Sequence, residues 1–485
     1  MLGRHLLGYL PVQAAQALVG FGGVAVFTRL MGQEEFGRFA LVMAALSLAH
    51  ILAFTWLEAA VARYHARAEK RGRLSDHLAT AYGLFALCAV FALAAFGGAL
   101  LLFDFDAPLK AALGFALVQL IARSAMQIGL ETHRAAGNVA RYSALEAGYL
   151  TLGFTLGVGL LLFTDMGAAG VFAGSAVAVA VVAVFDLPAM LRRARPGRRQ
   201  KVRAAAFARY GAPISASLIF EHLLSIGDRF LINWILGAGA VGVYAAGYGL
   251  ADRLIDIIFI WFGAAVWPLT IRALEQEGGD AAKAVAARAA GLMALIAFPA
   301  AAGLALVATE LTGVIVGPDL REGAAAILPW IALSGLMNGM MTYYFHEAFT
   351  LTRRTGVMAA IMAGAAVLNL VLNLLLLPHF GLIGAAMATV LAYFGALCTC
   401  ILLGRRYFVL PVPLGDWAKA ACAAGLMALA VWALPEIGPA WFLLLLKAMV
   451  GAAVYGIAAL ALNIAGCRHW VGEARRSGLL AGAET

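Results

Sequence analysis

Four basic side chains fall inside long apolar runs: Arg123, Arg229, Arg253 and Lys447. Arg123 belongs to the series Gln119, Arg123, Gln127, Glu131, whose steps of four place all four on one helical stripe. Glu221 and Asp228 stand near Arg229. Arg253 has Asp252 and Asp256 beside it, in a series with Tyr244 and Tyr248 that also steps by four. Ionisable groups in apolar surroundings are costly, so they face a partner or a wet cavity. Arginine keeps its charge, and its planar fork grips a phosphate or a carboxylate at two points. The carboxylates can neutralise these arginines, or take up a proton or a cation. Each cluster therefore has two readings, a polar stripe that glues helices together or a site for an anionic ligand.

A second spacing invites chemistry. Gly237-Ala-Gly239-Ala-Val-Gly242 is G-x-G-x-x-G, the turn that cradles a dinucleotide pyrophosphate. That turn works only after a strand and inside a βαβ unit of about 30 residues.

Composition denies it that setting. Hydrophobic residues make up 63% of 485 positions, charged residues only 13%, and mean hydropathy is +0.90. An ordinary soluble domain carries about 25% charged residues, so this chain must dissolve in a bilayer. The cysteines Cys88, Cys398, Cys400, Cys422 and Cys467 lie in or beside apolar runs, without metal-ligand spacing or a disulfide framework. No metal and no cofactor is expected.

A bilayer core of about 30 Å needs roughly 20 apolar residues per helix. That ruler predicts fourteen spans, at about 6–30, 38–62, 79–103, 109–133, 141–163, 169–191, 208–236, 241–270, 286–308, 324–350, 357–377, 382–404, 414–434 and 441–465. The first run is too long for a signal-peptide core and is read as a retained span. Fourteen spans put both termini on one side of the membrane. That side collects 27 of the 35 Lys and Arg, in stretches such as "RYHARAEKRGRLSDH" from Arg63 and "RRARPGRRQKVR" from Arg192. The opposite side holds only Arg29, Arg38, Lys110 and Arg321. The basic side is cytoplasmic by the positive-inside rule. The net charge of +9 is thus a topology signal, and nucleic acid is not an expected partner.

The glycine turn falls on the outer hairpin between spans 7 and 8, where glycines serve tight turns and close helix contact. It has a twin. "LMGQEEFGRF" between spans 1 and 2 carries Gly32, Gly37 and Phe39, as the later hairpin carries Gly237, Gly242 and Tyr244. Likewise Gly167 and Gly170, between spans 5 and 6, match Gly381 and Gly384 between spans 11 and 12. The expected architecture is an all-α polytopic membrane protein. Two six-helix lobes are related by a pseudo-two-fold along the membrane normal, with two C-terminal helices added. The N-lobe takes 1–191, a basic cytoplasmic linker 192–206, the C-lobe 207–408, and the last two spans with a cytoplasmic tail 409–485. Transporters built from such repeats bind cargo between the halves, near midplane.

The combination "FTRLMGQEEFGRFAL" from Phe27, "RYGAPISASLIF" from Arg209, "GDRFLINWILGAGAVGVYAAGYGLADRL" from Gly227 and "WPLTIRALEQEG" from Trp267 resembles a known family. It is similar to the polysaccharide transporters of the multidrug/oligosaccharidyl-lipid/polysaccharide flippase superfamily, and more narrowly to Wzx-type O-antigen and exopolysaccharide flippases. The resemblance spans roughly 4–465. It implies export of an undecaprenyl-pyrophosphate-linked oligosaccharide, from the cytoplasmic to the periplasmic leaflet of a bacterial inner membrane, by alternating access. It also implies a monomer with the membrane lipid and the linked glycan as partners, and the polysaccharide polymerase machinery as a candidate one. Its motifs match Asp228 and Arg229 in "GDRFLI" and Arg29 in "TRLMG". The expected headgroup set is Arg123, Arg229, Arg253, Gln119, Gln127 and Arg29. Glu221, Asp228, Asp252 and Asp256 are expected to pair with charges or couple an ion, with Glu221 placed to meet Arg253. His346, Glu347, Asn338, Asn369 and Asn373 are weaker polar candidates. Glu58, Glu146 and Lys447 lie near enough to helix ends to snorkel. Two relatives in the superfamily offer alternatives, a flippase for lipid-linked peptidoglycan precursor and a cation-coupled multidrug extruder. An enzyme is not expected. The longest outer loop, 309–323, carries no catalytic constellation.

Overall fold

The computed structural model describes residues 8–469. The first residues of the 6–30 span and the expected tail from 470 onward lie outside them. Among the described residues the chain is helical, without strands. It forms α1 (Leu10–Leu30), α2 (Gln33–Lys70), α3 (Leu74–Leu102), α4 (Ala107–Ala135), α5 (Val139–Phe163), α6 (Ala168–Val184), α7 (Leu187–Ala194) and α8 (Lys201–Ile226). There follow α9 (Asp228–Leu236), α10 (Ala238–Glu277), α11 (Gly279–Leu306), α12 (Ala308–Ile315), α13 (Pro318–Leu351), α14 (Thr355–Gly404), α15 (Leu414–Trp432) and α16 (Ala440–Leu462).

Eleven of the described helices are long and apolar enough to cross a membrane, or twelve if α6 and α7, bent by 54° at their junction, make one span. This is fewer than the fourteen expected; with α6 and α7 taken as one span, two places account for the rest. The expected spans 357–377 and 382–404 are counted together as α14, although Gly381 at φ 57°, ψ −141° separates two helices within its 50 residues. The helix α8, over the expected span 208–236, carries Lys201, Arg203, Arg209 and Glu221 and is not among the eleven. The outer loop expected at 309–323 is also more ordered than that, since α12 and the first turn of α13 occupy most of it.

The chain divides into two compact units, Met1–Ala245 and Ala246–Thr485. The division does not follow the basic segment 192–206, because α8 packs into unit 1. Its Phe207 joins Leu57, Ala60, Val61, Ala81 and Ile128 in one buried cluster. A Cβ on Gly211 would come within 1.9 Å of the Trp56 carbonyl oxygen, so only glycine permits that approach. Where lipid tails are as apolar as leucine, such close backbone packing is what holds helices together. In unit 2, Ala294, Ala420, Ala423, Met427 and Ala459 form one buried cluster that joins α11, α15 and α16.

The glycine turns answer the question raised by their spacing. Gly237 ends α9 at φ 86°, ψ 174°, a conformation costly for other residues. Gly242 lies against Gly37. A Cβ on Gly37 would sit 1.7 Å from the Ala238 oxygen, and one on Gly242 2.4 Å from the Gln33 oxygen. The glycines matched between the two hairpins are therefore the ones that let the starts of α2 and α10 cross. The second matched pair shares a conformation: Gly167 has φ 53°, ψ −135°, beside the Gly381 values above. The same turn is built once in each unit. In unit 1 the Glu35 carboxylate closes it by accepting from the Ala168 N–H at 2.8 Å, while Arg38 bridges Glu35 and Asp106, each at 2.6 Å.

Candidate functional site

α4 starts behind Asp106, which accepts from the Leu109 N–H, with Pro108 in its first turn. It is the most enclosed of the spanning helices, with 56% of its apolar window buried against 11% for α3. Its polar stripe therefore faces protein. Each member has a place there. Gln119 Nε2 donates to the Tyr149 hydroxyl at 2.9 Å. Arg123 Nη2 donates to both Glu146 oxygens at 2.8 Å, and the guanidinium lies 4.5 Å from the Tyr149 ring centroid. Gln127 Nε2 reaches Glu131 at 3.1 Å, and Arg134 closes on the same carboxylate at 2.6 Å.

A cavity of about 330 Å³ opens beside this stripe in unit 1. Gln119, Arg123 and Gln127 face Ser47, His50 and Ile51 of α2 across it. Residues 51–55 form a π turn, a break in regular helix often found at functional sites. His50, just before the turn, lies 2.9 Å from Glu58, just after it. Ser47 Oγ lies 2.7 Å from His222 Nε2 of α8. Arg123 Nη1 and Gln119 Oε1 are buried and meet no protein hydrogen-bond partner. One nitrogen of the guanidinium is thus clamped while another has no protein partner, and the residue lines a cavity of mixed polar and apolar walls. That arrangement suits an oxyanion, which Arg123 could grip without releasing Glu146.

The structure gathers three of the expected residues, Gln119, Arg123 and Gln127, around one cavity. It does not bring Arg29 there; that guanidinium turns back onto its own helix, donating to the Ala25 oxygen at 2.6 Å. Asp228 is buried in unit 1 and accepts from the Tyr244 hydroxyl at 2.5 Å, with Arg229 in electrostatic reach of Asp228 and His222. Glu221 belongs to unit 1 and Arg253 to unit 2. Asp252, Arg253 and Asp256 lie on α10 in unit 2, where Asp256 accepts from the Tyr343 hydroxyl at 3.3 Å. Asn369 and Asn373 hydrogen-bond to each other within α14.

Three snorkelling expectations are corrected. Glu146 and Glu58 are buried and held by Arg123 and His50. Lys447 is buried in unit 2, 2.5 Å from Glu310. Each has a hydrogen-bonding partner within reach, and meeting a partner inside the helices costs less than stretching to the surface. Tyr149, His50, Ser47 and His222 had no candidate status in the sequence. The signal present was Glu146 and Tyr149, three apart and so on one face of α5. Lys447 and Tyr455 also border a larger cavity in unit 2, about 640 Å³, whose other walls are almost all aliphatic.

Comparison with known proteins then places the chain. Residues 2–274, more than half of it, match the family described as "Polysaccharide biosynthesis protein". The chain belongs to this family. A curated relative is the probable flippase AglR of Haloferax volcanii, 22% identical over 311 residues, which are 62% of this chain. The chain spans 63% of that relative's length. Among solved structures, the lipid II flippase MurJ in an inward closed conformation resembles it with a TM-score of 0.73 at 11% identity, over 94% of this chain and 99% of MurJ. An inward-facing multidrug resistance MATE family transporter of the MOP superfamily gives 0.65 at 14% identity, over 82% and 97%. At such identities the likeness is one of fold. This member of the polysaccharide biosynthesis family is a multi-pass helical membrane protein with a MurJ- and MATE-like fold.

Proposed function

We propose that this protein is a flippase that carries a polyprenyl-pyrophosphate-linked oligosaccharide, undecaprenyl-linked in bacteria, from the cytoplasmic to the periplasmic leaflet for polysaccharide biosynthesis. It works by alternating access between the expected lobes 1–191 and 207–408. The membrane is the bacterial inner membrane, with both termini cytoplasmic. The observation that carries the reading is Arg123, fixed by Glu146 with Nη1 buried and without a protein partner, on the wall of a 330 Å³ cavity it shares with Gln119, Gln127 and His50. Bare phosphate in hydrocarbon is prohibitively expensive, so a pyrophosphate cargo needs such a group along its route. Arg229 and Arg253 are its further contacts, and Glu221, Asp228, Asp252 and Asp256 neutralise them or couple an ion. The aliphatic cavity of unit 2 suits an isoprenoid chain. An inside-negative potential drives the export, at about 2.3 kcal/mol per charge per 100 mV. A diphosphate moving outward gains accordingly.

Complementation of a flippase-deficient strain tests this. Wild-type chain restores surface polysaccharide and clears lipid-linked sugar from the inner leaflet. Arg123→Glu abolishes rescue at normal protein level. Unchanged rescue by Arg123→Glu removes that residue from the site. The fold shared with MurJ keeps a second cargo in view, a lipid-linked peptidoglycan precursor; restored growth of a strain lacking its own lipid II flippase favours that cargo.

A further inference from the structure

A second, smaller opening, about 280 Å³, lies in unit 1 where α2 ends and α8 begins. The basic-residue count assigns these helix ends to the cytoplasm. Arg67, Arg71, Arg73 and Arg203 line it. Among the described residues, none of the four has a carboxylate within ion-pair distance. The charge of Asp76 reaches Arg203, but its two oxygens already accept from the Arg198 N–H and from Gln200 Nε2, both at 2.8 Å. The arginines converge. Burial lowers the pKa of Arg203, Asp76 opposes that fall, and the charges of Arg73 and Arg71 add to it. Such crowding of like charge is unfavourable until an anion enters. The inner wall is apolar. Tyr64 and Phe207 stack there with ring centroids 5.7 Å apart, and Val202 is 85% exposed at the rim. A cationic mouth over an aromatic and aliphatic wall fits an amphiphile better than a soluble anion, and basic pockets between helices on the cytoplasmic side are a recurrent headgroup geometry.

We propose that this cleft docks the phosphate of an anionic lipid headgroup in the inner leaflet. The arginines hold the phosphate, and Tyr64, Phe207 and Val202 meet the apolar part just behind it. The site is separate from the Arg123 cavity, so the inference goes beyond the flippase reading and stands whether or not the protein flips a glycan.

The test uses the full chain in an uncharged detergent, with retained lipid counted by native mass spectrometry. Phosphatidylglycerol is expected to bind at least tenfold more tightly than phosphatidylcholine, at roughly fivefold per arginine near an anionic headgroup. R71Q/R73Q/R203Q removes that preference, and R123Q retains it. Sodium pyrophosphate added alone binds more weakly than the lipid. If the triple variant does not fold, Val202→Asp carries the test, since that exposed rim residue leaves the arginines in place and lowers phosphatidylglycerol retention. Preference kept by the folded triple variant, or by Val202→Asp, overturns the proposal. So does pyrophosphate binding as tightly as phosphatidylglycerol, which assigns the cleft to a soluble anion.

Discussion

In unit 1, Arg123 holds both oxygens of Glu146 through one nitrogen, keeps another nitrogen without a protein partner, and lines a cavity with Ser47, His50, Gln119 and Gln127. In unit 2, Lys447 meets Glu310 at 2.5 Å on the wall of a cavity twice the volume and almost wholly aliphatic. Both pairs join helices, both are buried, and both place a cation inside a membrane-spanning unit. The difference lies in the head group. A guanidinium spreads its donors over a planar fork, so one edge can be clamped while another is left without a protein partner. An ammonium is a compact charge, consumed by the carboxylate it touches. On the proposed function, ligand work falls to the first pair and helix joining to the second.

Four variants test that division. The largest effect is expected from leaving Lys447 alone in its aliphatic wall. Glu310→Ala should destabilise the protein by roughly 3–5 kcal/mol, the usual cost of breaking a buried pair on one side, read as a fall in melting temperature in detergent. Replacing both members should undo the damage. Lys447→Met with Glu310→Leu is expected to melt near wild type and to rescue polysaccharide export within about twofold, because a buried pair exchanged for apolar packing is often neutral. Arg123→Met with Glu146→Leu should also fold, yet export should fall by roughly a hundredfold, a loss of about 2.7 kcal/mol. Equal export from the two double variants would erase the distinction between the pairs. The smallest effect comes from Tyr149→Phe. It removes the hydroxyl that accepts from Gln119 but keeps the ring under Arg123. A stability change of about 0.6 kcal/mol, typical of one hydrogen bond between helices in a membrane, and an export loss below tenfold are expected. A loss as large as that of the Arg123 variant would make Tyr149 the anchor instead.

The polar stripe of α4 is legible in the amino-acid order alone, because four residues at steps of four share a face whatever surrounds them. So are the matched glycines. A turn that needs positive φ admits little but glycine, and Gly167 and Gly381 adopt nearly the same one. The partners are not legible. Glu146 lies 23 residues from Arg123, and Glu310 lies 137 from Lys447. Nothing local marks either carboxylate as a counter-ion. Depth counted along separate helices makes Glu58, Glu146 and Lys447 look able to reach the interface; packing closes that route by offering a nearer partner. The packing of the segment that follows the basic stretch is no more legible. The basic segment 192–206 looks like a linker, but Gly211 and Phe207 seat α8 against α2, so the contacts run past it.

The sequence by itself determined the class of molecule, the helical stripes and the turns that only glycine can make, since hydropathy, periodicity and allowed backbone angles are local properties. The tertiary structure decided which charges neutralise each other, which arginine keeps a hand uncommitted and where cavities open. Those outcomes depend on distances between helices far apart in the chain, and no local pattern encodes a distance.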